Sequence, residues 1–236
     1  MKVEGIPQKK ALLFLHGYLA DKNSFIYQTE YFKNFFDVYA PDLKGFGENK
    51  GMQYPYSLDD YVLDVKNYIK QNGLVRPHVI AHSFGGRIVI KALKQDNDIF
   101  DKVVLTGSAG LKPKSTVKKT VKRLAFRSLK PFLGKERLKS FYSKDYLALS
   151  PIMRESFIKI VNEHLDDCLE LINNKTLIIF GRNDTETPLY MAKKLNSGIK
   201  NSKLIVVNDA GHFCFIDKPL TFNTEVREFL LSKNNG

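Results

Sequence analysis

Val79-Ile80-Ala81-His82-Ser83-Phe84-Gly85-Gly86-Arg87 reads as a buried strand that turns sharply at a serine and leaves as a helix. A serine hydroxyl is a poor nucleophile unless a base takes its proton and a rigid turn presents it unobstructed. This stretch supplies the turn. Small residues two positions either side of the serine, here Ala81 and Gly85, let a strained backbone pass while strand and helix pack tightly across it. Glycine is commoner at the first of these positions, so Ala81 is a departure. Taken alone, the stretch is also compatible with an ordinary strand-turn-helix carrying a chance serine, and the rest of the chain has to decide.

The chain has 236 residues, enough for one domain, or one domain with an insertion, around a sizeable core. The apolar run Ala11-Leu12-Leu13-Phe14-Leu15 is ended by His16-Gly17, well short of a leader segment or a membrane span, so a cytoplasmic location is expected. Cys168 and Cys214 lie far apart without metal-ligand spacing, and we expect two buried thiols. The net charge of +12 is concentrated in one segment. Residues 112–139 hold eleven Lys and Arg against Glu136 alone and carry +10 of it.

Going outward from the serine, strands are expected at 11–15, 36–40, 78–82, 103–105, 176–180 and 204–207. Between them helical spacing predicts helices at 22–35, from Ser57 to Gly73, at 87–94, 188–195 and 219–231. Ser57 with Asp60 three residues on is close to a capping box. Strand alternating with helix at this cadence calls for a parallel sheet with helices on both faces, because parallel strands need crossover connections. From 112 to about 165 the alternation stops and basic amphipathic patterns replace it. We read this part as an insertion.

Of the five histidines, His212 is best placed as the base. It lies in Asn208-Asp209-Ala210-Gly211-His212-Phe213, directly after the last strand, where a short loop can carry an imidazole over the serine turn. With an unperturbed pKa near ~6.5 it can take and return a proton. His82 points away from Ser83 along its strand, so packing or a hydrogen bond inside the turn is its expected role. His78 and His164 read as packing or surface residues. Asp184, in Gly181-Arg182-Asn183-Asp184 after the penultimate strand, is the candidate acid that orients the base. Asp209 is read as a loop cap, and Asp217 as helping to start the last helix at Pro219. The chain order Ser83, Asp184, His212 is one such triads adopt on a parallel sheet. The oxyanion of an acyl transfer also needs amide donors. These are expected from Phe84 and Tyr18, with His16 supporting the loop after the first strand.

These features resemble the α/β-hydrolase superfamily over nearly the whole chain. The resemblance rests on His16-Gly17-Tyr18, Pro41-Asp42-Leu43-Lys44-Gly45-Phe46-Gly47, Ala81-His82-Ser83-Phe84-Gly85-Gly86, and the late Asp184 and Gly211-His212. It implies a mostly parallel, doubly wound α/β sheet, trimmed to six or seven strands, and catalytic roles for Ser83, Asp184 and His212 with the amides of Tyr18 and Phe84. It further implies that residues 112–165 form a helical cap over the active site, the core being 1–111 and 166–236.

In that segment Val117, Val121, Leu124 and Ala125 share one helical face and Lys118, Lys119, Lys122 and Arg123 the other. A second helix is expected from Ser150-Pro151 through Ile152, Phe157, Ile160 and Val161. The basic face could dock on anionic lipid, or it could simply be a solvated lysine-rich surface. Nucleic acid is not expected, since no binding motif accompanies the charge. The reading is a serine hydrolase that needs no cofactor or metal and cleaves small-molecule carboxylic esters through an acyl-enzyme. Thioesterase, lysophospholipase, monoacylglycerol lipase, C–C hydrolase and perhydrolase chemistry use the same triad and stay open. So does a receptor with little turnover.

Overall fold

The computed structural model of the protein describes residues 9–114 and 144–233. Among the described residues six strands form one sheet: β1 (Ala11–Leu15), β2 (Asp37–Tyr39), β3 (His78–His82), β4 (Val103–Thr106), β5 (Thr176–Gly181) and β6 (Ser202–Val207). They lie in the order β2-β1-β3-β4-β5-β6, and every neighbouring pair is parallel. The helices are α1 (Ile26–Phe32), α2 (Leu58–Gln71), α3 (Phe84–Gln95), α4 (Lys144–Ala148), α5 (Pro151–Asn162), α6 (Leu189–Gly198), α7 (Cys214–Asp217) and α8 (Pro219–Leu231).

Alternation along the strands sorts the core into two layers, because successive side chains leave opposite faces of a sheet. Leu13, Leu15, Val79 and Ala81 pack with Leu58, Tyr61 and Val62 of α2 and with Ile88, Val89 and Ala92 of α3. Leu12, Phe14 and Ile80 turn the other way, onto Phe32 of α1 and Phe222, Val226 and Leu230 of α8. A sheet covered on both faces has strands that are apolar without interruption, and β1 and β3 are buried almost throughout.

Local signals set the element ends. Ser57 Oγ accepts from the amide of Asp60 while the Asp60 carboxylate accepts from the amide of Ser57 at 2.7 Å, a reciprocal cap that starts α2. The helix expected over 22–35 is instead a 3-10 turn, Lys22–Phe25, capped by Asp21 and followed by α1, which ends at Phe32. The helix expected at 87–94 begins earlier, at Phe84, and its first turn contains Gly85 and Gly86. Ser150 caps α5, accepting from the amide of Met153, with Pro151 at the first helical position.

The helical segment between β4 and β5 interrupts the alternation as expected. The first helix expected in this segment and the cationic run from Lys118 to Lys139 fall outside the described residues. The contacts of α5 with the body are polar as well as apolar. Arg87 Nη1 donates to the carbonyls of Ile160, at 2.6 Å, and Glu163; Tyr18 Oη donates to Met153 O at 3.1 Å; and the amide of Tyr56 donates to Ser156 Oγ at 2.8 Å. Among the described residues no helix is long and apolar enough to cross a membrane.

Candidate active site

β3 occupies the middle of the sheet, with Leu15 beside Ala81 on one side and Thr106 beside His82 on the other. Ser83 follows it at φ 48° and ψ −105°. A non-glycine residue there costs on the order of 1–3 kcal/mol and is held only where its surroundings over-determine it. They do. The amide of Ser83 donates to Thr106 O at 3.1 Å, and its carbonyl accepts from Ala109 N at 3.0 Å and from Arg87 N. A Cβ on Gly85 would lie 2.3 Å from Leu15 O, and one on Gly86 would lie 2.2 Å from Ser108 Oγ. The glycines after the serine therefore permit close approach of α3 to β1 and to the loop after β4. Ala81 is fully buried, and its methyl packs in the core, so the commoner glycine is not required here.

β5 and β6 stay in register to their ends, Gly181 opposite Val207, so the loops beyond them leave side by side. Arg182 N donates to Val207 O at 2.8 Å and Asn183 N to Ala210 O at 2.9 Å, which ties the two loops together. The result is an Asp184 Oδ2 to His212 Nδ1 distance of 2.9 Å. Asp184 Oδ1 accepts from the amides of Glu186 and Thr187, each at 2.9 Å, and Thr187 Oγ1 lies 2.8 Å from Oδ2. Burial alone would raise this carboxyl; the bond from His212, the amide and hydroxyl of Thr187 and the His212 charge outweigh it, and the pKa falls below the usual carboxylate value. An ionised carboxylate only accepts, so Nδ1 of His212 carries its proton and Nε2 is left as the acceptor.

Nε2 is therefore the basic atom of this imidazole. His212, Ser83, Tyr18 and Phe84 all line one cavity of about 340 Å³, so the serine and the histidine open into the same space. Phe84 is the first residue of α3, and the first amides of a helix have no acceptor within it. Tyr18 and Phe84 also touch edge to face, with ring centroids 5.4 Å apart. Glu186 Oε2 lies 3.5 Å from His212 Nε2 on the cavity rim.

Two more histidines support these. His82 Nε2 donates to the carbonyl of His212 at 3.2 Å, the hydrogen bond within the turn expected of it. Burial first, then the neighbouring His212, pushes its pKa down to about 3, so His82 is neutral. His16 Nδ1 donates to Gly17 O at 2.8 Å and Nε2 accepts from Leu43 N at 3.0 Å, which joins the loop after β1 to the loop after β2. That matches its expected supporting role. His78 is buried against Lys102 N, and His164 is exposed. Cys168 and Cys214 are both buried thiols.

Asp217 differs from its expected role. The cap position of α8 is Lys218, without a side-chain bond, whereas Asp217 Oδ2 accepts from the amide of Gly211 at 2.7 Å. It holds the histidine loop. Thr187 was not anticipated either, although an Asp followed three residues later by Thr before a proline is a pattern in which side chains bond to nearby backbone. Arg87 and Glu186 line the cavity with no signal in the sequence that sets them apart.

The comparisons with known proteins agree with this architecture. A family profile described as alpha/beta hydrolase fold matches residues 10–132, just over half of the chain, and one described as TAP-like protein matches residues 161–235. The AB hydrolase superfamily protein YisY of Bacillus subtilis is 27% identical over 96% of this chain and 94% of its own length. A 2-hydroxy-6-oxo-2,4-heptadienoate hydrolase of Pseudomonas putida is 24% identical, covering 84% of this chain and 79% of that one. Among solved structures, an esterase from Exiguobacterium antarcticum superposes with a TM-score of 0.77 at 24% identity, covering 96% and 94% of the two chains.

Proposed function

From the premise that the chain belongs to the α/β-hydrolase fold family, we propose that it is a serine hydrolase that cleaves carboxylic esters through an acyl-enzyme. The observation that carries the reading is the 2.9 Å bond from His212 Nδ1 to a buried, ionised Asp184, which leaves Nε2 basic in the cavity that Ser83 enters on a strained turn. Ser83 Oγ attacks the ester carbonyl as its proton passes to Nε2, and Asp184 stabilises the imidazolium. The amides of Tyr18 and Phe84 hold the oxyanion. As the tetrahedral adduct collapses, the C–O bond to the alcohol breaks and Nε2–H protonates the departing oxygen. Water then gives a proton to Nε2 as it attacks the acyl carbon, and when the C–Oγ bond breaks Nε2–H returns that proton to Ser83 Oγ, releasing the acid.

Residues 112–165 serve in this reading as the cap. Phe157 and Ile160 of α5 and Leu149 before it already contribute an apolar wall, which suits an acyl chain. The basic run outside the described residues is the candidate for contact with anionic lipid, and salt-sensitive co-sedimentation with anionic vesicles tests it. Two buried free thiols fit a reducing, cytoplasmic setting.

Hydrolysis of an oxo-dienoate, the class named for the P. putida relative, is a second reading of the same triad. A panel of esters and thioesters of graded acyl length, run beside such a ketone with wild type and Ser83→Ala, separates the two. Turnover of esters that disappears in Ser83→Ala supports the proposal; turnover of the ketone alone supports the second reading, and ester turnover that survives in Ser83→Ala removes both.

A further inference from the structure

Arg87 stands on α3, four residues beyond Ser83, and lines the same cavity while only 7% exposed. A buried guanidinium is costly unless partnered. Nη1 donates to the carbonyls of Ile160, at 2.6 Å, and Glu163, where α5 ends. Those bonds occupy two of the five N–H donors of the fork. The carboxylate of Glu163, whose charge acts on Arg87, is engaged by Lys91, and among the described residues no carboxylate forms an ion pair with Arg87. Among the described residues the guanidinium's hydrogen bonds all come from Nη1, which leaves Nε and Nη2 as donors to a ligand on a residue that lines the cavity. Burial pulls its pKa down to about 10, with Glu163 opposing, which leaves it cationic at neutral pH.

The other charged residue of the cavity wall among the described residues, Glu186, has a side chain 66% exposed, where water screens it. A charge as buried as that of Arg87 acts more strongly than one in solvent. Nε and Nη2 together make the side-on edge of a guanidinium, which matches a carboxylate with two parallel hydrogen bonds. We propose that Arg87 is an anion subsite of the pocket and that the substrate is an ester bearing a carboxylate, which Nε and Nη2 of Arg87 hold while Ser83 attacks the ester carbonyl. The substrate class rests on the ester-hydrolase reading above, whereas anion binding at Arg87 does not.

The test compares acidic with neutral esters in wild type, Arg87→Met and Arg87→Lys. One arm sets mono-para-nitrophenyl glutarate against para-nitrophenyl butyrate, placing the acid on the acyl side. The other sets the butyrate ester of para-hydroxybenzoate against phenyl butyrate, placing it on the leaving group. In wild type we expect kcat/KM to favour the acidic ester about ten- to hundredfold on one arm, the size of a charge-assisted pair of hydrogen bonds. Arg87→Met abolishes that preference and Arg87→Lys restores part of it. Absence of preference on both arms, or a preference that survives in Arg87→Met, overturns the proposal.

Because each ratio is internal to one variant, a general loss of activity does not mimic the result. Should Arg87→Met fail to fold, inhibition of wild type decides. Glutarate is expected to inhibit butyrate hydrolysis at least about tenfold more strongly than glutaramide, with the advantage shrinking in salt, and equal inhibition overturns the proposal. If wild type turns over no ester at all, the ester reading fails by itself. Glutarate binding to Ser83→Ala, followed by titration calorimetry, then still tests the subsite: binding that Arg87→Met abolishes supports it, and no binding refutes it.

Discussion

Lowering the pH from 7 to 5 should remove about 4 kcal/mol of folding stability, through two histidines that the fold keeps neutral. Burial first pushes His82 down to about 3, and burial first, against Asp101, pushes His78 down to about 4. Both are at most 5% exposed, so solvent offers little screening. A histidine whose folded pKa lies below its unfolded value of ~6.5 binds more protons when unfolded, so stability is lost as the pH falls through 6.5 and the loss stops only at the folded pKa. With both folded values below 5, each group loses about 1.4 kcal/mol per pH unit over most of this window, or about 2 kcal/mol by pH 5. His16 is also lowered, again chiefly by burial, and adds to the loss in the same direction. Asp184 and Asp42, whose values are depressed, lose their contribution only at lower pH, because an unfolded carboxylate titrates near ~4. Asp64, whose carboxyl burial raises, binds protons more readily when folded and opposes the loss; apart from it the interval between 7 and 5 reports the histidines. Urea titrations at the two values measure the difference against a total that for such a domain is typically about 5–15 kcal/mol. A change of less than about 1 kcal/mol would show that His78 and His82 are not both held neutral by burial, and the interior would then need redrawing.

Two further outcomes follow from the elbow and the acid. Gly85→Ala places a methyl 2.3 Å from Leu15 O, so α3 must move off β1; we expect a loss of about 1–3 kcal/mol, seen as a melting point lower by roughly 2–4 °C for each kcal/mol, together with slower acylation of Ser83. Thr187→Val removes the hydroxyl 2.8 Å from Asp184 Oδ2 and should lower kcat about tenfold at unchanged KM while shifting the acid limb of the rate profile, with Thr187→Ser retaining most activity. An unchanged profile in Thr187→Val would mean that the hydroxyl serves Gly107 O, 3.0 Å away, rather than the carboxylate.

How much of this was legible in the sequence depends on the range of the cause. β1 and β3 have the expected bounds, because a continuous apolar run ended by a polar or turn residue is a local signal. The pairing of Asp184 with His212 was legible too, since each directly follows a strand and neighbouring parallel strands deliver their loops to the same edge. α3 starts three residues before the expected 87–94, and what Gly85 and Gly86 make room for, Leu15 O and Ser108, is fixed by tertiary packing that the local sequence does not display. Asp217 bonds Gly211 rather than starting α8, because a carboxylate just ahead of a helix can serve either, and only the path of the loop chooses. Arg87 carries no local signal, because its partners lie 73 and 76 residues away, at the end of a helix whose docking no local pattern encodes.

The claim on which the rest depends is that Ser83 is the nucleophile and His212 its base, and covalent labelling reads it directly. Wild type treated with a fluorophosphonate should gain one adduct, mapped by peptide mass spectrometry to Ser83. Ser83→Ala should gain none while keeping the wild-type melting transition, and His212→Ala should label at least about a hundredfold more slowly, the scale of general-base assistance. An adduct on any other residue, or unimpaired labelling of folded Ser83→Ala, would contradict the account.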